Sequence, residues 1–111
     1  MQHDDRVYVA HMLDMARKAL EITGTITRTD FDRDEVRRLA LVHLVQNIGE
    51  AAGNVSEAFR SAHTEIPWPE VVGTRHRIVH DYMGINEDMI WDIVTSDLPD
   101  LIPKLAAIVD G

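Results

Sequence analysis

Apolar residues recur roughly every three to four positions along most of the chain, which is the period of an α-helix that packs one face against a core. A first stretch runs from Asp4 to about Thr23, and a second runs from about Arg33 to His63. In the second stretch Leu39 and its neighbours widen the apolar stripe, so this helix is expected to be central. No stretch alternates as a β-strand would. The sequence therefore predicts an all-α protein, an antiparallel four- to five-helix bundle formed by one domain over residues 1–111.

Glycines and prolines mark the expected ends of these two helices. Gly24 should end the first helix, and the polar, β-branched residues Thr23 to Thr29 should form a linker. Pro67-Trp68-Pro69 should end the second helical pattern, because proline removes a helical hydrogen bond. Gly49 and Gly53 lie among small residues, which should let another helix approach closely.

Two more helices are expected in the C-terminal third. Thr74 is a suitable N-cap for a short helix from Arg75 to about Met83, which Gly84 would end. Asn86 should cap the last helix. Pro99 and Pro103 are expected to kink or split that helix near Ser96.

The composition limits what the protein can bind. The net charge of −8 argues against broad, non-specific nucleic-acid binding, so any RNA contact must be local, and a separate basic partner fits the acidic surface. The absence of cysteine excludes disulfides and thiolate metal sites, and it fits a reducing cytoplasm. The N-terminus does not resemble a signal peptide. No apolar run approaches the roughly 20 residues that a membrane helix needs.

The segment from Arg75 to Tyr82 places several reactive groups close together. Arg75 can hold a phosphate in a bidentate grip, and His80 can move a proton near neutral pH. Their combination suggests phosphodiester chemistry without a metal. On one undistorted helix Arg75 and His80 would point about 140° apart. A composite site would form more easily if a second copy of the helix packed against the first about a two-fold axis, although a local distortion could also bring them together.

Structural interpretations of this segment remain open. It could be a surface helix that happens to be basic, and Tyr82 could be buried and hydrogen-bonded. His76 and His80 are four residues apart, as some metal ligands are, but no helical glutamate completes a zinc-binding signature.

Four further polar or aromatic residues have mainly structural interpretations. His43 lies in an apolar stretch and is expected in the interior or on its flank. Glu50 lies among small apolar residues and should need a partner, either in a structural ion pair or near the motif helix. Trp68 and Trp91 are expected in the core or an interface.

The motif lies in a longer series of short segments that resembles the HepT family of the HEPN superfamily, the toxins of HEPN/minimal-nucleotidyltransferase (MNT) toxin–antitoxin pairs. The resemblance covers roughly Leu39 to Leu105 in order. The segments that carry it are Asn47-Ile48-Gly49-Glu50-Ala51-Ala52, Ile66-Pro67-Trp68, Val72-Gly73-Thr74-Arg75, Arg75-x4-His80-x-Tyr82, Met83-Gly84-Ile85-Asn86 and Ile90-Trp91-Asp92-Ile93.

This resemblance implies a homodimeric, metal-independent endoribonuclease that needs no cofactor, with the motif helices at the dimer interface. His80 would be the general acid or base, and Arg75 would stabilise charge on the phosphate. His76 and Arg77 would bind RNA or support the site. His76 departs from the family, which commonly has asparagine there, so its role stays open.

The resemblance also implies a partner. An MNT antitoxin would use ATP and Mg²⁺ to attach AMP to Tyr82, and the added charge and bulk would exclude RNA. Two other functions fit the residues: a nuclease-silent subunit that binds or regulates a nucleotidyltransferase, and a purely structural helical dimer.

Overall fold

Two 19-residue helices, α1 (Asp5–Thr23) and α3 (Glu35–Gly53), form the centre of the computed structural model, which describes residues 4–80 and 84–111. Helix α8 (Leu98–Asp110) also packs against α1. The amide of Ser56, just beyond α3, donates to the Asp5 carboxylate at 2.7 Å, and Arg6 Nη1 donates to the Ile108 carbonyl oxygen at 2.9 Å. The start of α1 therefore lies beside the ends of both α3 and α8, so α1 is antiparallel to each. The all-α prediction is confirmed.

Shorter elements complete the chain. They are α2 (Arg28–Arg33), α4 (Glu57–Ala62), α5 (Trp68–Val72), α6 (Thr74–Ile78), β1 (Val79–His80), β2 (Gly84–Ile85), α7 (Glu87–Asp92) and a π-helical segment (Ile93–Asp97).

The helix predicted from about Arg33 to His63 begins close to the expected residue, at Glu35, but its single span is wrong, because Ser56 starts a new helix within it. The Asp34 carboxylate accepts the Arg37 amide at 3.0 Å, and Ser56 Oγ accepts the Phe59 amide at 3.2 Å. Such N-cap bonds satisfy amides that have no partner in the first turn of a helix. Asp34 therefore caps the start of α3, and the chain turns before Ser56, although the predicted apolar stripe continues through that second point.

The linker predicted from Thr23 to Thr29 is also shorter than expected. Gly24, with φ of 54°, ends α1 as predicted. Thr27 then forms a capping box with Asp30, in which each side chain accepts the other's backbone amide, and α2 begins at Arg28.

Proline starts one short helix and accompanies a distortion in the last one. Pro67 precedes α5 and Pro69 lies in its first turn, where a missing N–H costs little. The last helix is capped by Asn86, whose side chain accepts the Met89 amide at 3.1 Å. It widens into π-helical turns at Ile93–Asp97 just before Pro99, which confirms the cap and an interruption near Ser96, whereas Pro103 lies inside α8 without interrupting it.

The hydrophobic core lies between α1, α3 and the α7–α8 region, and Met12, Leu41, Val45, Ile90 and Leu105 are almost fully buried in it. Helices α5 and α6 also pack against α3. A Cβ added to Gly49 would lie only 3.1 Å from the Val71 carbonyl oxygen. Gly53, in contrast, has no neighbour within 4 Å of such a Cβ, so close approach explains only the first glycine. Among the helices of the described ranges, none is both long and apolar enough to cross a membrane.

Candidate functional site

The motif segment begins in α6, which follows α5 almost without a break. The Gly73 carbonyl oxygen accepts the amides of His76 and Arg77 at 3.0 and 3.2 Å. Thr74 is buried, and its hydroxyl donates to the Glu70 carbonyl oxygen at 3.0 Å. Thr74 is therefore the first residue of α6 and does not cap it, which corrects the prediction.

The helix predicted from Arg75 to about Met83 is wrong from Val79 onward. Helix α6 ends at Ile78, and β1 pairs antiparallel with β2, so that Val79 lies opposite Ile85 and His80 opposite Gly84. The Asn86 amide closes this pairing by donating to the Ile78 carbonyl oxygen at 2.6 Å. A β-branched residue such as Val79 is readily accommodated in extended backbone. The angle of about 140° between Arg75 and His80 assumed one continuous helix, so it no longer supports a site shared by two chains.

The backbone places the predicted catalytic residues on adjacent elements, Arg75 in α6 and His80 in β1. Their side chains lie outside the described part of the chain, as do all atoms of Tyr82. Their assignments stay predictions.

His76 is exposed and faces an open groove of about 600 Å³ between α4 and the α5–α6 pair. Helix α4 and the turn after it contribute Arg60, Ser61 and Thr64 to this groove. No pattern in the sequence indicated this groove, because the break before α4 was not predicted. We call it the α4–α6 groove.

Arg77 is directed away from that groove, toward the last helix. Its Nη2 lies 3.5 Å from Asp97 Oδ2 and 3.4 Å from Met89 Sδ, and its Nη1 lies 3.5 Å from the Glu70 carbonyl oxygen. These contacts are long and partly exposed, and a surface ion pair of this kind contributes about 0–1 kcal/mol. The guanidinium lines a cavity of about 110 Å³ together with Glu70, Asp97 and Asp100, where three carboxylates would repel a phosphate. This environment favours a supporting role for Arg77 over direct RNA contact.

Arg28 links α2 to α7, which begins just after the β1–β2 pairing. It donates to Asp32 Oδ1 at 2.8 Å and to Asp88 Oδ1 at 2.6 Å, which joins α2 to α7. The hydrogen bond to Asp32 makes the largest contribution to raising the pKa of Arg28 above its ordinary value, and the hydrogen bond to Asp88 makes the second largest.

The four other polar or aromatic residues considered in the sequence either face solvent or pack against neighbouring residues. Glu50 is exposed, so the expectation that it needs a partner is wrong. His43 is exposed on α3, with its Nε2 3.0 Å from Asn47 Nδ2, which matches the flank position. Trp68 is buried and donates to the His63 carbonyl oxygen at 2.9 Å, whereas Trp91 packs on Phe31 with ring centroids 5.2 Å apart. Among the side chains that the structure describes, which do not include that of His80, no three His, Cys, Asp or Glu groups converge to form a possible metal site.

An exposed apolar patch lies beside the β1–β2 pairing. Val36 and Leu39 on α3 are 80% and 60% exposed, and Ile85 on β2 is 36% exposed. Leu39 and Ile85 line a shallow cavity of about 210 Å³ that Phe31 and Ile90 help to form. We call Val36, Leu39 and Ile85 the α3–β2 patch. The sequence assigned Leu39 to a widened core stripe, which is wrong, since this side chain faces solvent.

Comparison with known proteins gives consistent matches over nearly the whole chain. A family model described as "Ribonuclease HepT-like" matches residues 12–108. A protein of Caldanaerobacter subterraneus subsp. tengcongensis named "Putative RNase" is 33% identical over 104 residues, which cover 94% of this chain and 93% of the relative. The "Probable ribonuclease HepT" of Thermococcus cleftensis is 30% identical over 104 residues, which cover 94% of this chain and 94% of the relative. A protein of Methanocaldococcus jannaschii, also named "Putative RNase", is 29% identical over 96% of this chain and 88% of its own length. No solved structure matches this chain significantly.

Proposed function

The chain belongs to the ribonuclease HepT-like family, and from this membership we propose that it is a metal-independent endoribonuclease, the toxin of a type VII HEPN/MNT toxin–antitoxin pair. The observation that carries the proposal is the family match over residues 12–108, which includes the complete Arg75-x4-His80-x-Tyr82 motif. Residues 1–111 would form one HEPN domain that acts in the cytoplasm.

The proposed reaction uses the nucleophile that RNA itself carries. The ribose 2′-oxygen attacks the adjacent phosphorus and the bond from phosphorus to the 5′-oxygen breaks, which leaves a 2′,3′-cyclic phosphate and a free 5′-hydroxyl. A base removes the 2′-hydroxyl proton and an acid protonates the leaving 5′-oxygen, and His80 would perform one of these steps. Arg75 would stabilise the negative charge that develops on the non-bridging oxygens.

We further propose that the site forms in a homodimer. The α3–β2 patch supports this proposal, because apolar side chains as exposed as Val36 and Leu39 are stabilised when a partner covers them. Ile85 of this patch belongs to β2, which pairs with the strand that carries His80. Covering the patch with a second copy would therefore bring the two motif segments close to the interface.

The proposed off-switch is the transfer of AMP to Tyr82 by an MNT antitoxin. Tyr82 lies two residues beyond His80, so an added phosphate would place negative charge close to the position of the RNA backbone. The net charge of −8 favours a partner with a basic docking surface.

The nuclease proposal is tested by RNA cleavage in the presence of EDTA. Wild-type protein should cleave RNA, and His80→Ala and Arg75→Ala should each lower the rate at least about 100-fold while the protein stays folded. His11→Ala and Arg17→Ala are matched controls, since both residues are exposed on α1. Undiminished cleavage by the purified motif variants would rule out the assigned roles.

The switch is tested by mass spectrometry of the intact chain after incubation with the partner, ATP and Mg²⁺. Its mass should rise by whole AMP units, and Tyr82→Phe should prevent the increase. Labelling that persists in Tyr82→Phe would exclude that tyrosine. AMP transfer to a wild-type protein that cleaves no RNA would instead support the nuclease-silent regulatory subunit.

A further inference from the structure

The α4–α6 groove differs in charge from the cavity that holds Arg77. Three acids surround that cavity, whereas the groove has one acid, Glu57, together with the cation of Arg60 and the titratable ring of His76. Ser61 and Thr64 add two hydroxyl groups that can donate hydrogen bonds. In a chain with a net charge of −8, a surface of this kind is suited to contact a phosphodiester locally.

Arg60 is held in a fixed position beside this groove. Its Nη2 donates to the carbonyl oxygens of Ala52 and Gly53 at 3.0 and 3.1 Å, at the end of α3. Its Nε–H is buried and has no acceptor among the described residues. The two bonds to carbonyl oxygens order the guanidinium before any ligand arrives, which lowers the entropic cost of binding an anion beside it, although the buried Nε–H itself does not reach the groove.

The groove also adjoins the proposed cleavage site along the chain. His76 directly follows Arg75, so their Cα atoms are about 3.8 Å apart. An RNA strand whose scissile phosphate is held by Arg75 must extend beyond it in both directions. The groove lined by His76 lies one residue from Arg75 along α6, within reach of such a strand. Pro69 and Val72 supply an apolar wall against which a ribose or base can pack.

We propose that the α4–α6 groove is a subsite for single-stranded RNA next to the scissile phosphate, with Arg60 and His76 facing the backbone phosphate and Ser61 and Thr64 hydrogen-bonding to the strand. This proposal rests on the proposed ribonuclease function. It assigns His76 to binding the strand that flanks the cut, and it adds three residues from α4 and the following turn that the motif does not contain.

The proposal is tested by placing a negative charge in the groove without disturbing Arg60. Thr64→Glu is suitable because Thr64 is exposed in a turn, and Thr25→Glu is a matched control at an exposed turn position outside the groove. Repulsion from the RNA backbone should raise KM for a long oligonucleotide about tenfold in Thr64→Glu and leave it unchanged in Thr25→Glu. The penalty should be smaller for a dinucleotide that contains only the scissile phosphate.

Direct RNA binding separates this proposal from the nuclease proposal. In the His80→Ala background, fluorescence anisotropy with a labelled single-stranded oligonucleotide should show about tenfold weaker binding for Thr64→Glu than for Thr25→Glu. Equal affinities would overturn the groove assignment, whether or not wild-type protein cleaves RNA. Cleavage by wild type together with equal KM values for the two glutamate variants would overturn the groove alone. If Thr64→Glu weakened only the binding of the nucleotidyltransferase, the groove would be a protein-docking surface and the RNA proposal would be wrong.

Discussion

At the scale of single residues, the two glycines of α3 should respond to alanine in opposite ways. Alanine in a helix is favoured over glycine by about 0.5–1 kcal/mol. At Gly53 nothing lies within 4 Å of the new Cβ, so Gly53→Ala should be more stable than wild type. At Gly49 the new Cβ would lie 3.1 Å from the Val71 backbone oxygen, and overpacking costs about 1–3 kcal/mol. Gly49→Ala should therefore be destabilised by about 1 kcal/mol.

Urea unfolding followed by circular dichroism measures both changes through the midpoint at constant slope. The pair is its own control, since the same side-chain group is added to the same helix. A Gly49→Ala variant stabilised as much as Gly53→Ala would show that α5 moves away from α3 at little cost.

At the scale of elements, the sequence predicted which stretches are helical better than where each helix begins. The predicted apolar stripe continues past Ser56, because Val55 before it and Phe59 after it pack against the same core. The break comes from a single side chain that accepts an amide in the next turn, and a polar residue at such a position can also lie on a helix surface. Asn86, at the start of the last helix, is a signal of the same kind and was confirmed as a cap, and Gly24 was confirmed as the end of α1.

The candidate site was harder to predict for a related reason. The pairing of Val79 with Ile85 joins residues on either side of a short loop, and helical periodicity contains no information about such a pairing. The sequence shows which kinds of side chain the motif contains, but it does not show how the residues that carry them are oriented relative to one another. The α4–α6 groove was not predicted, because it forms only when the chain turns before α4.

Asn86 is the element-scale residue with the clearest expected effect. Its side-chain oxygen accepts the Met89 amide, so Asn86→Ala should destabilise the protein by about 1 kcal/mol. Asn86→Asp keeps the acceptor and adds a charge that the helix dipole favours, and it should remain close to wild type. Hydrogen exchange should show faster exchange of the Met89 amide in Asn86→Ala only. Unchanged protection of that amide would show that the side chain does not cap α7 in solution.

At the scale of the whole molecule, the α3–β2 patch shows the limit of reading apolar periodicity. The pattern identifies the faces that avoid water, but it does not tell whether the same chain or a second copy covers them. Leu39 was expected in the core and is 60% exposed. The proposed homodimer accounts for this exposure, and it raises the question of which chain supplies each residue of a site.

Mixing two inactive variants answers that question. If one chain's Arg75 acts with the other chain's His80, a dimer of one Arg75→Ala chain and one His80→Ala chain has one site with both residues intact and one with neither. After random exchange half of the dimers are mixed, so about a quarter of the wild-type cleavage rate should return. If both residues come from the same chain, each site keeps one defect and no activity returns.

The α3–β2 patch provides the control for this experiment. Leu39→Asp places a charge on the exposed side chain of α3 and should produce a monomer, which sedimentation analysis would detect. Mixing the two inactive variants in this background should restore nothing. If Leu39→Asp chains still form dimers and mixing still restores activity, the patch is not the interface. Mixed dimers that remain inactive would assign Arg75 and His80 of each site to one chain.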